Sequence, residues 1–74
     1  MKNPDAAMRK RLASMPPEVL DSLRQDRPPV ESRTALLRRR LARGVRGHMG
    51  GGLWWTADGF LAKHILHTID KEKA

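Results

Sequence analysis

The residues with the clearest capacity for chemistry in this chain are arginines. Arg33, Arg38, Arg39, Arg40, Arg43 and Arg46 fall between Ser32 and Ala57, a stretch that contains no Asp or Glu. A guanidinium pairs bidentately with phosphate or carboxylate and also stacks on flat rings. An acid-free run of such groups therefore suits a polyanionic partner. At helical spacing Arg39, Arg40, Arg43 and Arg46 share one side, and Arg33 extends the track at the far end. The bland alternative is a solvated face, which every surface helix carries. Complete exclusion of acids from the run favours phosphate contact over that alternative.

A second candidate is the adjacent pair Trp54 and Trp55. Neighbouring side chains diverge on any regular backbone, so only one can anchor a core position. Trp55 is assigned that place. Trp54 is left to cover the neighbouring glycines, to stack on a base or to anchor a protein partner, and in a core this small a mainly structural role for both tryptophans is the favoured reading. Leu36 projects near the arginines rather than with Leu37, and is the other expected partner-binding residue.

Other chemistry finds less support. His64 and His67 share a helix side at spacing i, i+3, and His48 lies among glycines, but a zinc site needs further ligands and the chain has no cysteine. No metal and no cofactor is expected. The segment from Gly44 to Gly50 lacks the Gly-Lys-Ser or Gly-Lys-Thr ending and the preceding strand of a nucleotide-binding loop. Ser14, Ser22, Ser32, Thr34, Thr56 and Thr68 all have capping or helix-surface explanations, and none has a visible acid-base partner.

The elements that position these residues read as helices. Asn3, Pro4 and Asp5 form a start signal for a helix to about Ser14, whose apolar stripe is thin: Met8, Leu12 and Met15. Pro16 and Pro17 end it and open a second helix to about Gln25, carrying Val19, Leu20 and Leu23. The stiff connector Asp26 to Pro29 follows. From Val30 the spacing of Val30, Thr34, Leu37, Leu41 and Val45 predicts a long third helix with its arginines opposite, closed by Gly44 or Gly47. A short helix before a long basic one resembles helix-turn-helix proteins, which implies a duplex DNA partner. Five glycines from Gly44 to Gly52 then make a loop. Thr56 caps the last helix, with Trp55 and Phe60 in the positions of a hydrophobic staple. Leu61, Ala62, Ile65, Leu66 and Ile69 give that helix a continuous apolar face to about Asp70.

The expected fold is all-α, a small three- or four-helix bundle with a Gly-rich loop before the last helix and its main contact between helices three and four. Residues 1–15 form a weakly docked N-terminal helix, 16–70 the helical core domain and 71–74 a frayed tail. With 74 residues and a net charge of +7, one domain is all the chain can hold, and it buries only about 60% of its unfolded surface. No apolar run approaches the roughly twenty residues needed to span a bilayer, so the chain reads as cytoplasmic. An enclosed active site is hard to build from so few apolar side chains. The expected function is that of a small, basic, non-enzymatic regulator binding nucleic acid, DNA in a transcription context, through an Arg-rich helix. The rival is a small inhibitor or adaptor on an acidic surface of a larger machine such as RNA polymerase, a ribosome or a nuclease complex.

Overall fold

The computed structural model describes residues 3–46 and 52–73. Expectations for residues 47–51, His48 and the middle of the glycine segment among them, lie outside the described residues. The first helix, α1 (Pro4–Ala13), starts as the sequence predicts: the Asn3 side chain accepts from the Asp5 amide at 2.9 Å, with Pro4 in the first helical position. Helix α2 (Pro17–Leu23) also has a proline, Pro17, in the first helical position, but no side-chain cap. Met8 and Leu12 of α1, Met15, and Val19 and Leu23 of α2 are all buried in one core. The buried hydroxyl of Ser22 donates to the Glu18 carbonyl at 2.8 Å and meets the Ser32 hydroxyl at 2.5 Å. That contact ties α2 to the segment ahead of the next helix, and among the described residues no buried side-chain nitrogen or oxygen lacks a partner.

The long third helix is not formed. Val30–Ser32 is a single 3-10 turn, and α3 (Arg33–Arg38) is short. Its end is a Schellman closure: the Leu41 amide bonds to the Leu36 carbonyl and the Arg40 amide to the Leu37 carbonyl, both at 3.0 Å, while Arg40 takes the left-handed position with φ 56°. The physical reason is packing. At 100° per residue Leu36 and Leu41 would stand about 140° apart on a continuous helix, yet both are fully buried. The reversal at Arg40 lets both reach the same core, as the apolar contact of a Schellman motif requires. The stripe expected from Val30 to Val45 is therefore broken, with Val30 78% exposed.

After the reversal the chain forms β1 (Ala42–Val45), which pairs antiparallel with β2 (Gly52–Trp55) in the register Ala42 to Trp55, Arg43 to Trp54, Gly44 to Leu53 and Val45 to Gly52. The fold is thus a small mixed α/β arrangement and not an all-α bundle. Helix α4 (Ala57–Lys73) follows at once, capped by the Thr56 hydroxyl on the Gly59 amide at 3.0 Å. It buries Gly59, Ala62, Ile65 and Leu66. Its last turn runs past Asp70, and Glu72 pairs with Arg9 of α1 at 3.3 Å. Gly59 is required by close approach, because a Cβ there would fall 2.0 Å from the Leu41 carbonyl oxygen.

Candidate nucleic-acid interface

The corner that leads into the ribbon is held by its own carbonyls. Arg11 Nη2 donates to the Arg39 carbonyl at 2.8 Å, the Thr56 hydroxyl to the Arg40 carbonyl at 2.6 Å, and the Thr56 amide to the Leu41 carbonyl at 3.0 Å. Three consecutive acceptors are satisfied from α1 and from the cap of α4, so the corner is fixed where its backbone departs from helix. The Arg40 side chain points outward from this fixed point.

Strand alternation then sorts the ribbon's side chains. Ala42 and Trp55, directly paired, face the core, and both are buried. Trp55 is held on two sides, its indole N–H donating to the Asp26 carbonyl at 2.9 Å and Lys63 Nζ standing 4.7 Å from its ring centroid, and on α4 a Cβ at Gly59 would come within 3.3 Å of its Cβ. Lys63 in turn donates to the carbonyls of Leu23 and Gln25, closing the end of α2. Burial pulls the Lys63 ammonium below the ordinary lysine range, against the opposing field of Asp26.

Arg43 and Trp54, the next pair, face outward. Trp54 is 41% exposed and Phe60 47%; their ring centroids lie 6.2 Å apart at 70°. The staple expected between Trp55 and Phe60 is therefore replaced by an edge contact between Trp54 and Phe60, because the strand turns Trp55 inward. Arg43, Trp54 and Phe60 line a shallow open depression of about 530 Å³. On the other side of the ribbon Arg33 and Arg46 line a second one of about 450 Å³ with Gly44 and Leu53.

The five arginines expected on one helical face are thus distributed. Arg43 lies on one side of the ribbon, Arg33 and Arg46 on the other, Arg40 at the corner, and Arg39 is half-buried with its carbonyl bound to Arg11. Leu36, expected at a partner surface, is fully buried and belongs to the core. Trp54 faces outward and is 41% exposed, so of the two tryptophans only Trp55 is a core residue. Phe60 was not singled out for the surface, although strand alternation across Trp54 and Trp55 carries that signal once a strand is recognised. His64 and His67 are exposed on α4, and no metal-holding group of three His, Cys, Asp or Glu occurs among the described residues.

Charge pairing is uneven along the chain. Among the described residues the ion pairs are Arg9 with Glu72, Arg11 with Asp58, and Arg24 with both Asp21 and Asp70. Arg24 grips Asp70 bidentately, Nε at 2.9 Å and Nη2 at 3.2 Å. This hydrogen bonding holds the Asp70 carboxyl below the usual carboxylate range and raises the guanidinium further. No such pair involves an arginine of residues 33–46. No helix among the described residues is long and apolar enough to cross a membrane. The chain matches no protein-family model, no curated protein and no solved structure.

Proposed function

We propose that this chain is a small non-enzymatic nucleic-acid-binding protein, cytoplasmic and acting on DNA in the setting of transcription. Its phosphate contacts come from the arginines of the helix-to-strand corner and the β-ribbon. One observation carries the reading. The arginines of residues 33–46 have no carboxylate partner among the described residues, whereas Arg9, Arg11 and Arg24 do. Intramolecular pairing engages Asp21, Asp58, Asp70 and Glu72 with arginines outside residues 33–46 and leaves an unneutralised positive field at the corner and on the ribbon. The helical route to a duplex is dropped, because α3 has six residues and at 1.5 Å per residue spans only about 9 Å. A two-stranded ribbon with outward arginines can instead follow a phosphate backbone, the contact that supplies most of the sequence-independent affinity for nucleic acid.

The rival, an adaptor on an acidic protein surface, draws on the exposed Trp54 and Phe60 amid these charges, since an apolar anchor with a basic rim is what such an interface uses. Titration of fluorescently labelled DNA with wild type and with the combined Arg40→Gln, Arg43→Gln, Arg46→Gln variant tests the primary reading. Wild type binds in low salt and the variant binds at least tenfold more weakly at unchanged helicity. Equal affinity of the two proteins contradicts it. The rival instead requires an acidic polypeptide target whose binding survives moderate salt and is lost in Trp54→Ala.

A further inference from the structure

We infer that Trp54 is a stacking platform for an unpaired nucleobase, with Arg43 beside it to hold the adjoining phosphate, so that the preferred ligand is a single-stranded stretch of nucleic acid. This rests on the nucleic-acid reading above and names the form of ligand that the ribbon selects.

Two tryptophans adjacent in sequence have opposite fates. Trp55 is consumed by the fold: buried, hydrogen-bonded through its indole N–H and covered by the Lys63 ammonium. Trp54 has none of these ties. It is 41% exposed, and Lys63 on Trp55 is the one cation held over a ring among the described residues. Its aromatic neighbour meets it at 70°, so the two rings do not cover each other face to face. Some two-fifths of this large apolar residue is left toward solvent, 41%, in a molecule that has few large apolar side chains to spare.

The surroundings define the occupant by charge. Arg43 is the direct cross-strand partner of Trp54, and side chains so paired lie about 5 Å apart at Cβ. The nearest acid in sequence, Asp58, is engaged by Arg11 at 3.6 Å. A flat ring next to an unpaired guanidinium matches the two halves of a nucleotide, a π-face and a phosphate. Bases in a duplex already have their faces covered by neighbours and expose only edges, so an indole face gains nothing from them without unstacking. An unpaired strand offers both halves at once. DNA and RNA share this chemistry.

The test uses the whole chain and four labelled probes of equal length: oligo-dT, oligo-U, an abasic DNA strand carrying the same phosphates, and a DNA duplex. Wild type binds oligo-dT or oligo-U on the order of tenfold more tightly than the abasic strand, the effect of a stacked base, and the better of the two identifies the sugar preferred. Trp54→Ala removes that preference while its binding to the abasic strand is unchanged. Trp54→Phe restores part of it, which a loss of folding would not allow. If wild type binds the abasic strand as tightly as oligo-dT and oligo-U, or prefers the duplex, stacking is overturned while phosphate binding stands. If wild type binds none of the four probes, the nucleic-acid reading falls with it.

Discussion

Arg40 occupies a backbone position that ordinarily belongs to glycine. Its φ of 56° brings the Cβ against the following carbonyl, a cost of roughly 1–2 kcal/mol for a residue with a side chain. Arg40→Gly is therefore expected to raise the melting temperature by several degrees, since about 1 kcal/mol shifts a domain of this size by roughly 4–8 °C. The same substitution lowers affinity for nucleic acid, whereas Arg40→Ala lowers affinity without that gain in stability. Thermal melts and binding titrations of the two variants check this, and a Gly variant that melts at or below wild type removes the claim of strain. Gly59 is the opposite case. Its Cβ would meet the Leu41 carbonyl oxygen at 2.0 Å, so Gly59→Ala must push α4 off the corner. A marked fall in melting temperature is expected, and a wild-type melt contradicts the close approach. At this scale part was readable from sequence. The Thr56 cap follows from a local rule that tertiary context did not override, whereas Trp55 is inward because of the strand and not through the staple with Phe60 that its spacing suggested. Leu36 was misplaced because its direction was read from a helix longer than the one that forms.

The ribbon is the element that the sequence concealed. Ala42–Val45 and Gly52–Trp55 are four residues each and each holds a glycine, which is depleted in strands, so the strand-favouring Val45, Trp54 and Trp55 form no run long enough to show alternation. From Val30 to Val45 the apolar spacing also satisfies a helical stripe, and a periodic pattern cannot register a reversal set by a single left-handed residue. Burial of Leu36 and Leu41 together decided the outcome, which is a tertiary effect with no local signature. The two alternatives differ in which leucines and valines matter. Leu36→Ala and Leu41→Ala should each cost about 2–5 kcal/mol, enough to unfold much of so small a domain. Val30→Ala, at a position 78% exposed, should stay within about 0.5 kcal/mol. Denaturation followed by circular dichroism distinguishes them, and a Val30→Ala loss comparable to that of Leu36→Ala would restore the long helix. The start of α1, the break at Pro16 and Pro17, and the apolar face of α4 were legible because caps, prolines and a sustained stripe agreed on each.

For the molecule as a whole, the division of its charges matters more than their sum. Asp21, Asp58, Asp70 and Glu72 are paired with Arg9, Arg11 and Arg24, the last joining the end of α2 to α4 through Asp70, and the arginines of the corner and the ribbon are left without such partners. The Asp70 carboxyl titrates below its ordinary range because Arg24 hydrogen-bonds to it. A folded pKa lower than the unfolded one means that the unfolded chain binds more protons in that window. This contribution is present above the unfolded carboxylate pKa and is lost as pH falls through the folded one. Asp70→Asn should therefore melt lower than wild type near neutrality, and the gap should close under acid; melts collected from pH 7 to pH 2 show whether it does. The acid-free arginine run was plain in the sequence, but the pairing of Arg9 with Glu72, Arg11 with Asp58 and Arg24 with Asp70 was not, because these partners are distant in the chain and only folding brings them together. That division is the central claim, and the salt dependence of single-strand binding tests it most directly. Each phosphate contact on a single strand contributes about 0.7 to the slope of log K against log salt. Replacing Arg40, Arg43 and Arg46 together by Gln should flatten the slope by about two units, whereas replacing the paired Arg9 and Arg24 by Gln should leave it nearly unchanged. Equal slopes for wild type and the triple variant, or an equal flattening from the paired arginines, would show that the unpaired positive field of the ribbon is not what holds the ligand.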